Sequence, residues 1–235
     1  MAKKIEEKTG ELLLKPIAYI HTDFPSKFAL PRQGEVSSAV KGLITFEPEF
    51  RKEGILRGLE TFSHVILIWG FSQEEEGPFS PTIRPPKLGG NKRVGVFASR
   101  SPNRPNPLGL TIAEIEKIDT ENKGGPYLYL SGVDLMDHTP IYDIKPYVPY
   151  ADCFPEAKGG FAKPSQAIHL EVSFENGCDS ILSQEKKEEL VSVLSQDPRP
   201  GYKHDSERIY AFPFLTYTIR FRVEEEKRLV VLEIR

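Results

Sequence analysis

The run Phe62–Phe71, FSHVILIWGF, limits the fold more than any other stretch of this chain. It is almost continuously apolar, which suits a strand buried on both faces or one strand of a barrel. Shorter segments of β character surround it: Leu12–His21 with Pro16 at an edge or bulge, the alternating Val40–Phe46, then Arg93–Ala98, Leu108–Asp119, Pro126–Leu135 and Thr139–Lys145. Leu108–Asp119 alternates imperfectly, and its threonine, its isoleucines and the early Gly109 favour strand over helix. Glu49–Leu59 reads as a short helix. Several short strands separated by turns, with few helical periods, predict a mainly β fold, a single-sheet β-barrel domain over residues 10–165. Composition shifts after Tyr150, where Ala151–Gln166 forms a Gly/Pro/Lys-containing linker. Residues 166–235 read as a small α+β domain: a strand over Ile168–Phe174, a helix capped by Asp179 or Ser180 and running to about Ser195, a stop at Asp197–Tyr202 (DPRPGY), and two or three strands from Arg208 onward.

The charge is unevenly placed. Arg84–Leu110 holds six basic residues (Arg84, Lys87, Lys92, Arg93, Arg100, Arg104) and no acid, in a chain with 31 basic and 34 acidic residues. A basic island in an acidic protein attracts a phosphate or carboxylate. Prolines follow Ser101, Arg104 and Asn106, and each fixes its own φ and extends the residue before it. Arg100, Arg104 and Asn106 are therefore presented on a nearly preformed loop that loses little entropy on ordering. With a net charge of only −3, nucleic-acid binding would have to come from such a patch.

Several classes of site are missing. There is no Gly-x-Gly-x-x-Gly, Walker A, Gly-x-Ser-x-Gly or His-Glu-x-x-His pattern. The two cysteines, Cys153 and Cys178, form no Cys-x-x-Cys pair and read as free thiols. The charged N-terminus is not a signal peptide, and no apolar stretch approaches the ~20 residues of a membrane span, so the chain reads as cytoplasmic. The five histidines are scattered singly and read as structural, His64 as a core residue, with His138 notable for its closeness to Asp137 and Asp143. Those two acids and Asp134 fall together in the sequence. Turn chemistry explains them; one of them could accept a proton or grip a ribose, and no metal site is expected.

Separated motifs then carry a resemblance. Pro31–Gln33 (PRQ), Arg57–His64, Arg84–Asn91 (RPPKLGGN), Gly95–Leu110 (GVFASRSPNRPNPLGL), Asp134–Tyr147 (DLMDHTPIYDIKPY) and Asp197–Tyr202 together resemble the TsaA/TrmO family, from about Leu14 to the C-terminus. The resemblance implies a β-barrel enzyme that uses S-adenosylmethionine to methylate N6 of N6-threonylcarbamoyladenosine, the base next to the anticodon of tRNA, and a homodimer. It implies a cofactor site of Gln33, Gly34, Phe71, Ser72, Ser99, Arg100, Leu110, Ser131, Gly132 and Val133. Leu110 and Ser131–Val133 could form an apolar slot for adenine, and Arg100 is a candidate for the methionine carboxylate. Lys87, Lys92, Arg93 and Arg104 would contact tRNA phosphates, which position the substrate without specifying it.

Arg104 and Asn106 could instead hold the threonine carboxylate of the substrate. The base that takes the N6 proton could be Asp134, Asp137, Asp143 or the substrate's own carboxylate; Asp134 and Asp143, with Arg104 and Asn106, are the catalytic candidates. Tyr142, Tyr147 and Tyr150 are possible stacking partners for a loop base, although core packing is the expected fate of at least two of them. Arg199, between two prolines as Arg104 is, and Lys203 would extend the basic surface to tRNA. The competing class is a β-barrel that binds a nucleotide or tRNA without chemistry, and the cofactor pocket is what separates the two.

Overall fold

The structure is a computed structural model and describes residues 12–30, 39–72, 80–85, 88, 92–161, 169–199, 208–225 and 227–235. Six antiparallel strands close into a barrel in the order β1-β2-β7-β6-β3-β8. They are β1 (Ala18–His21), β2 (Lys41–Phe46), β3 (His64–Gly70), β6 (Leu108–Asp119), β7 (Tyr127–Ser131) and β8 (Thr139–Pro146). A two-stranded ribbon, β4 (Thr82–Ile83) and β5 (Val94–Gly95), lies in the connection between β3 and β6. The long apolar run is thus a barrel strand. Val65 and Leu67 point into the core with no exposure, while Ile66 and Ile68 alternate outward and are half-buried.

Closure is helped by a packing detail on the inner face. Trp69 of β3 faces Gly109 of β6 in register. A Cβ on Gly109 would lie 2.3 Å from the indole, so the ring lies across the glycine backbone and no larger residue fits there.

Glycine also explains where the expected elements fail. The helix expected over Glu49–Leu59 is replaced by two 3₁₀ turns, Pro48–Phe50 and Leu59–Thr61, because Gly54 and Gly58 adopt φ of 79° and 91° between them. The strand expected over Pro126–Leu135 stops at Ser131, where Gly132 (φ 71°) turns the chain and donates its N–H to Val40 O at 3.0 Å. Of Arg93–Ala98 only Val94–Gly95 is strand; Val96–Ala98 is a 3₁₀ turn. Pro149–Asp152 forms a single helical turn, α1.

The C-terminal sheet has the order β10-β11-β12-β9, from β9 (Glu171–Phe174), β10 (Tyr210–Phe214), β11 (Tyr217–Glu224) and β12 (Arg228–Ile234). Helix α2 (Gln184–Leu194) is capped by Ser183, whose hydroxyl accepts the Lys186 N–H. The expected caps, Asp179 and Ser180, lie instead in a 3₁₀ stretch, Glu175–Ile181, kinked at Asn176 and Gly177. This unit packs on the β1–β2 connection. Phe24 and Phe214 are both fully buried and meet edge-on at 5.2 Å, and Leu215 N–H bonds Asp23 O at 2.8 Å. Truncating a buried Phe of this kind costs about 3–5 kcal/mol. Cys153 and Cys178 are free thiols.

A polar cluster accompanies this contact. Glu189 of α2 is 1% exposed; it accepts the Lys41 N–H at 3.4 Å and the Lys186 ammonium at 3.0 Å, and Lys186 also pairs with Asp23. Burial, then the Asp23 charge, push the Glu189 carboxyl up to about 7. Burial works against charge on Lys186, but Asp23 and Glu189 outweigh it and raise its pKa. A carboxyl raised from its ordinary value favours folding at low pH, and that contribution fades as pH rises through about 7. The wild type should therefore lose stability relative to Glu189→Gln between about pH 5 and pH 8, by on the order of 1–3 kcal/mol. Urea unfolding of both proteins across this range checks it, and parallel pH profiles would show that the Glu189 carboxyl has the same pKa in the folded and unfolded chain.

Candidate active site at one end of the barrel

Because neighbouring barrel strands are antiparallel, the β1–β2, β3–β6 and β7–β8 connections all leave from the same end. They contain most of the sequence-predicted cofactor and catalytic residues. A cavity of about 600 Å³ opens beside this end, lined by Phe71, Ser72, Asn106, Leu108 and Tyr142 among others. Gly70 shapes its floor, since a Cβ there would lie 2.6 Å from the Tyr142 ring. A second cavity of about 650 Å³ involves Arg51, Arg57, Ile118 and Lys123. It sits at the opposite end, and no described residue of the basic stretch lines it.

Behind the cavity wall runs a chain of polar contacts. Trp69 lies edge-on to Phe71, with centroids 4.5 Å apart. Its indole N–H donates to Thr111 Oγ1 at 3.0 Å, and the Thr111 hydroxyl donates to Asp134 Oδ1 at 2.6 Å. Thr111 is 4% exposed, so both its bonds are made in a setting where an unmade one would be costly. The chain fixes the Asp134 carboxylate relative to the barrel mouth.

The other predicted residues divide by location. Phe71, Ser72 and Asn106 share the cavity. Arg104 donates to Ser99 O at 3.2 Å, and the Ser99 hydroxyl donates to Val96 O at 2.7 Å, so both groups brace the proline-rich loop while Arg100 is exposed on it. Leu110, 53% exposed, faces outward. It and Asp143 lie on either side of Ile68 on the outer surface of the barrel, and Asp143 pairs with Lys145 at 2.8 Å. The structure therefore does not bring Asp143 to Asp134. Ser131 is buried and donates to Glu114 at 3.4 Å, and Val133 is fully buried against Ile20 and Gly42. Val133 is a core residue here.

Among the expected RNA contacts, Lys92 is exposed. Arg93 is exposed too, but its guanidinium holds Thr82 Oγ1 at 2.7 Å and Thr82 O at 2.9 Å, tying β4 to the residue preceding β5. Arg199 departs from its expected role. It is 5% exposed and forks onto Asp197 with two bonds of 2.8 Å, so it is not presented as a surface cation. Gln33, Gly34, Lys87 and Lys203 lie outside the described residues. The tyrosines also differ from expectation, as none of the three is core: Tyr142 borders the cavity, Tyr147 is half-buried beside His64, and Tyr150 is 93% exposed. His64 is itself half-buried, bonded to Ser63 at 2.8 Å.

Sequence reasoning missed Trp69 and Thr111. The one available signal was the pair of glycines, Gly70 and Gly109, which leave room in space for the Tyr142 and Trp69 rings.

A closed barrel with a loop-built, partly apolar cavity and a braced carboxylate at one mouth defines a ligand-binding or group-transfer protein rather than a structural one. The chain belongs to the TrmO family: the tRNA-methyltransferase O N-terminal domain matches residues 19–153 and the TrmO C-terminal domain residues 167–235. It is 37% identical over 217 residues to the tRNA (adenine(37)-N6)-methyltransferase of Escherichia coli, covering 89% of this chain and 92% of that one. It is 41% identical over 198 residues to a Pseudomonas aeruginosa protein provisionally described as an S-adenosylmethionine-dependent methyltransferase, RcsF, covering 81% and 83%. The crystal structure of TrmO from Pseudomonas aeruginosa superposes with a TM-score of 0.77 at 31% identity, covering 96% of this chain and 99% of that one.

Proposed function

We propose that this chain is an S-adenosylmethionine-dependent methyltransferase acting on N6 of adenine 37 in tRNA, and that the adenine carries an N6-threonylcarbamoyl group. The observation that carries the reading is the convergence of Phe71, Ser72, Asn106 and the Trp69–Thr111–Asp134 chain at one barrel mouth. The cavity suits a nucleoside with a charged tail. Phe71, Leu108 and Tyr142 supply apolar and aromatic wall, Ser72 and Asn106 supply hydrogen bonds, and Gly70 leaves room that a side chain would fill. Bound there, S-adenosylmethionine would supply an activated methyl on a sulfonium.

The chain's own work is alignment and proton removal. The proline-stiffened loop holds Asn106 at the cavity, while Arg104 braces it through Ser99 O. The N6 nitrogen of a threonylcarbamoyl group is urea-like and poorly nucleophilic, so its proton must leave as the N–C bond forms. Of the three candidates, Asp143 lies on the outer barrel surface and Asp137 is engaged by His21, His138 and the Thr22 N–H, so Asp134, held by Thr111 at the barrel mouth, is assigned that proton. Lys92 and Arg100 offer exposed charge for RNA phosphates. The exposed apolar side chains Phe97 and Leu110, 77% and 53% accessible, offer a face to a second copy in a homodimer. Residues 10–165 would form the catalytic unit and 166–235 an accessory one. Among the described residues no helix is long and apolar enough to cross a membrane, and a tRNA substrate favours the cytoplasm.

Labelled S-adenosylmethionine incubated with tRNA bearing or lacking the threonylcarbamoyl group tests the reading. Label should enter only the first. Equal labelling of both would remove the threonylcarbamoyl requirement, and no calorimetric binding of S-adenosylmethionine would remove the methyltransferase reading itself.

A further inference from the structure

Histidines that stand apart in sequence meet in space. Among the described residues, His21, Asp137 and His138 place one ligand atom each within 4.8 Å of one another. His21 Nδ1 lies 3.4 Å from Asp137 Oδ1, and His138 Nε2 lies 3.7 Å from Asp137 Oδ2. The two imidazoles are edge-on, with centroids 4.8 Å apart. With metal–ligand bonds of about 2.0–2.1 Å, tetrahedral ligand atoms lie roughly 3.3–3.4 Å apart. The observed spacings need only small side-chain rotations to reach that.

The ligands are also oriented from behind, as those of metal sites are. His21 Nε2 is 2.9 Å from Thr45 Oγ1. If that nitrogen carries the proton, the Nδ1 lone pair faces the cluster. Asp137 Oδ1 accepts the Thr22 N–H at 3.2 Å. His138 is held by its backbone: its N–H bonds Ile20 O at 2.9 Å, and its φ is 59°, a left-handed conformation that a non-glycine residue seldom takes. His21 and Asp137 are about one-third exposed and His138 is 72% exposed, which leaves a fourth position open to water.

We propose that His21, Asp137 and His138 form a binding site for a first-row divalent metal ion such as Zn²⁺, with two imidazoles and one carboxylate as ligands. The borderline nitrogen and oxygen donors suit Zn²⁺, Co²⁺, Ni²⁺ or Cu²⁺ better than Mg²⁺ or Ca²⁺. An ion there would tie the end of β1 to the β7–β8 connection, which also carries Asp134. It would thereby stiffen one wall of the barrel mouth without entering the cavity.

The test uses the full chain freed of metal by chelation and dialysis, titrated with Zn²⁺ by calorimetry and with Co²⁺ by visible absorption. The wild type should bind one equivalent, show the intense absorption of low-coordinate Co²⁺, and gain thermal stability with added Zn²⁺. His138→Gly suits the left-handed backbone, so it should fold as well as wild type while its affinity falls at least about tenfold. His21→Gln should do the same, and Thr45→Val should weaken binding by about tenfold or more through loss of the bond behind His21. No saturable binding by wild type, or wild-type affinity retained in either histidine variant, would overturn the proposal.

Discussion

Asp134→Asn should slow methyl transfer to tRNA by about 10²- to 10⁴-fold while leaving S-adenosylmethionine affinity within about twofold. The substitution preserves shape and can keep the hydrogen bond from Thr111, made at 2.6 Å in the wild type, but an amide cannot take a proton. The loss should therefore fall on the chemical step, measured in single turnover with enzyme in excess over tRNA. Thr111→Val keeps the volume and removes both the bond to Asp134 and the acceptor for Trp69. Its effect should be smaller and should shift the pH–rate profile, because it alters the carboxylate without deleting it. A wild-type single-turnover rate in Asp134→Asn would transfer the proton to the substrate's own carboxylate, leaving Asp134 a bracing role.

Arg199→Glu should destabilise the fold rather than only weaken RNA binding. The guanidinium is 5% exposed and engages both carboxylate oxygens of Asp197, which sits in a left-handed turn (φ 53°) just past α2. Breaking a buried pair by removing one partner costs about 3–5 kcal/mol, and a second carboxylate adds repulsion. For a chain of this size that is a fall in Tm of roughly 10 °C or more. Arg199→Lys keeps the charge but loses the planar fork, so it should fall between the two. Thermal unfolding measures all three. An unchanged Tm in Arg199→Glu, together with weaker tRNA binding, would return Arg199 to the RNA-facing surface.

Arg199 also illustrates what the sequence could carry. An arginine between two prolines looks like a stiffened surface contact, and Asp197 two residues earlier looks like a helix stop. The competing signal, a carboxylate within reach of the guanidinium, lay inside the same motif. The barrel was far easier to read. Alternation in Val40–Phe46 and the β-forming residues of Leu108–Asp119 each corresponded to one strand, because burial on one face writes a local pattern. The Trp69–Thr111–Asp134 chain had no such trace, and of the His21–Asp137–His138 cluster only the adjacent pair Asp137–His138 did. They depend on register, Leu67 opposite Thr111 and Ile20 opposite Thr139, and register between distant strands is a property of closure. The short helix expected over Glu49–Leu59 failed for the opposite reason, since Gly54 and Gly58 were visible and their left-handed φ was not.

Strand order sets a timetable during synthesis. The last barrel strand ends at Pro146, so the barrel can close while the rest of the chain is still being made. The C-terminal sheet has to wait for β12, because β9 pairs with it in parallel, Glu171 beside Arg228. Until β12 has left the ribosome, the sheet that holds Phe214 against Phe24 is incomplete. The nascent protein thus passes through a stage with a closed barrel and an uncovered aromatic beside the β1–β2 connection, the stage at which it is most exposed to chaperones and to aggregation.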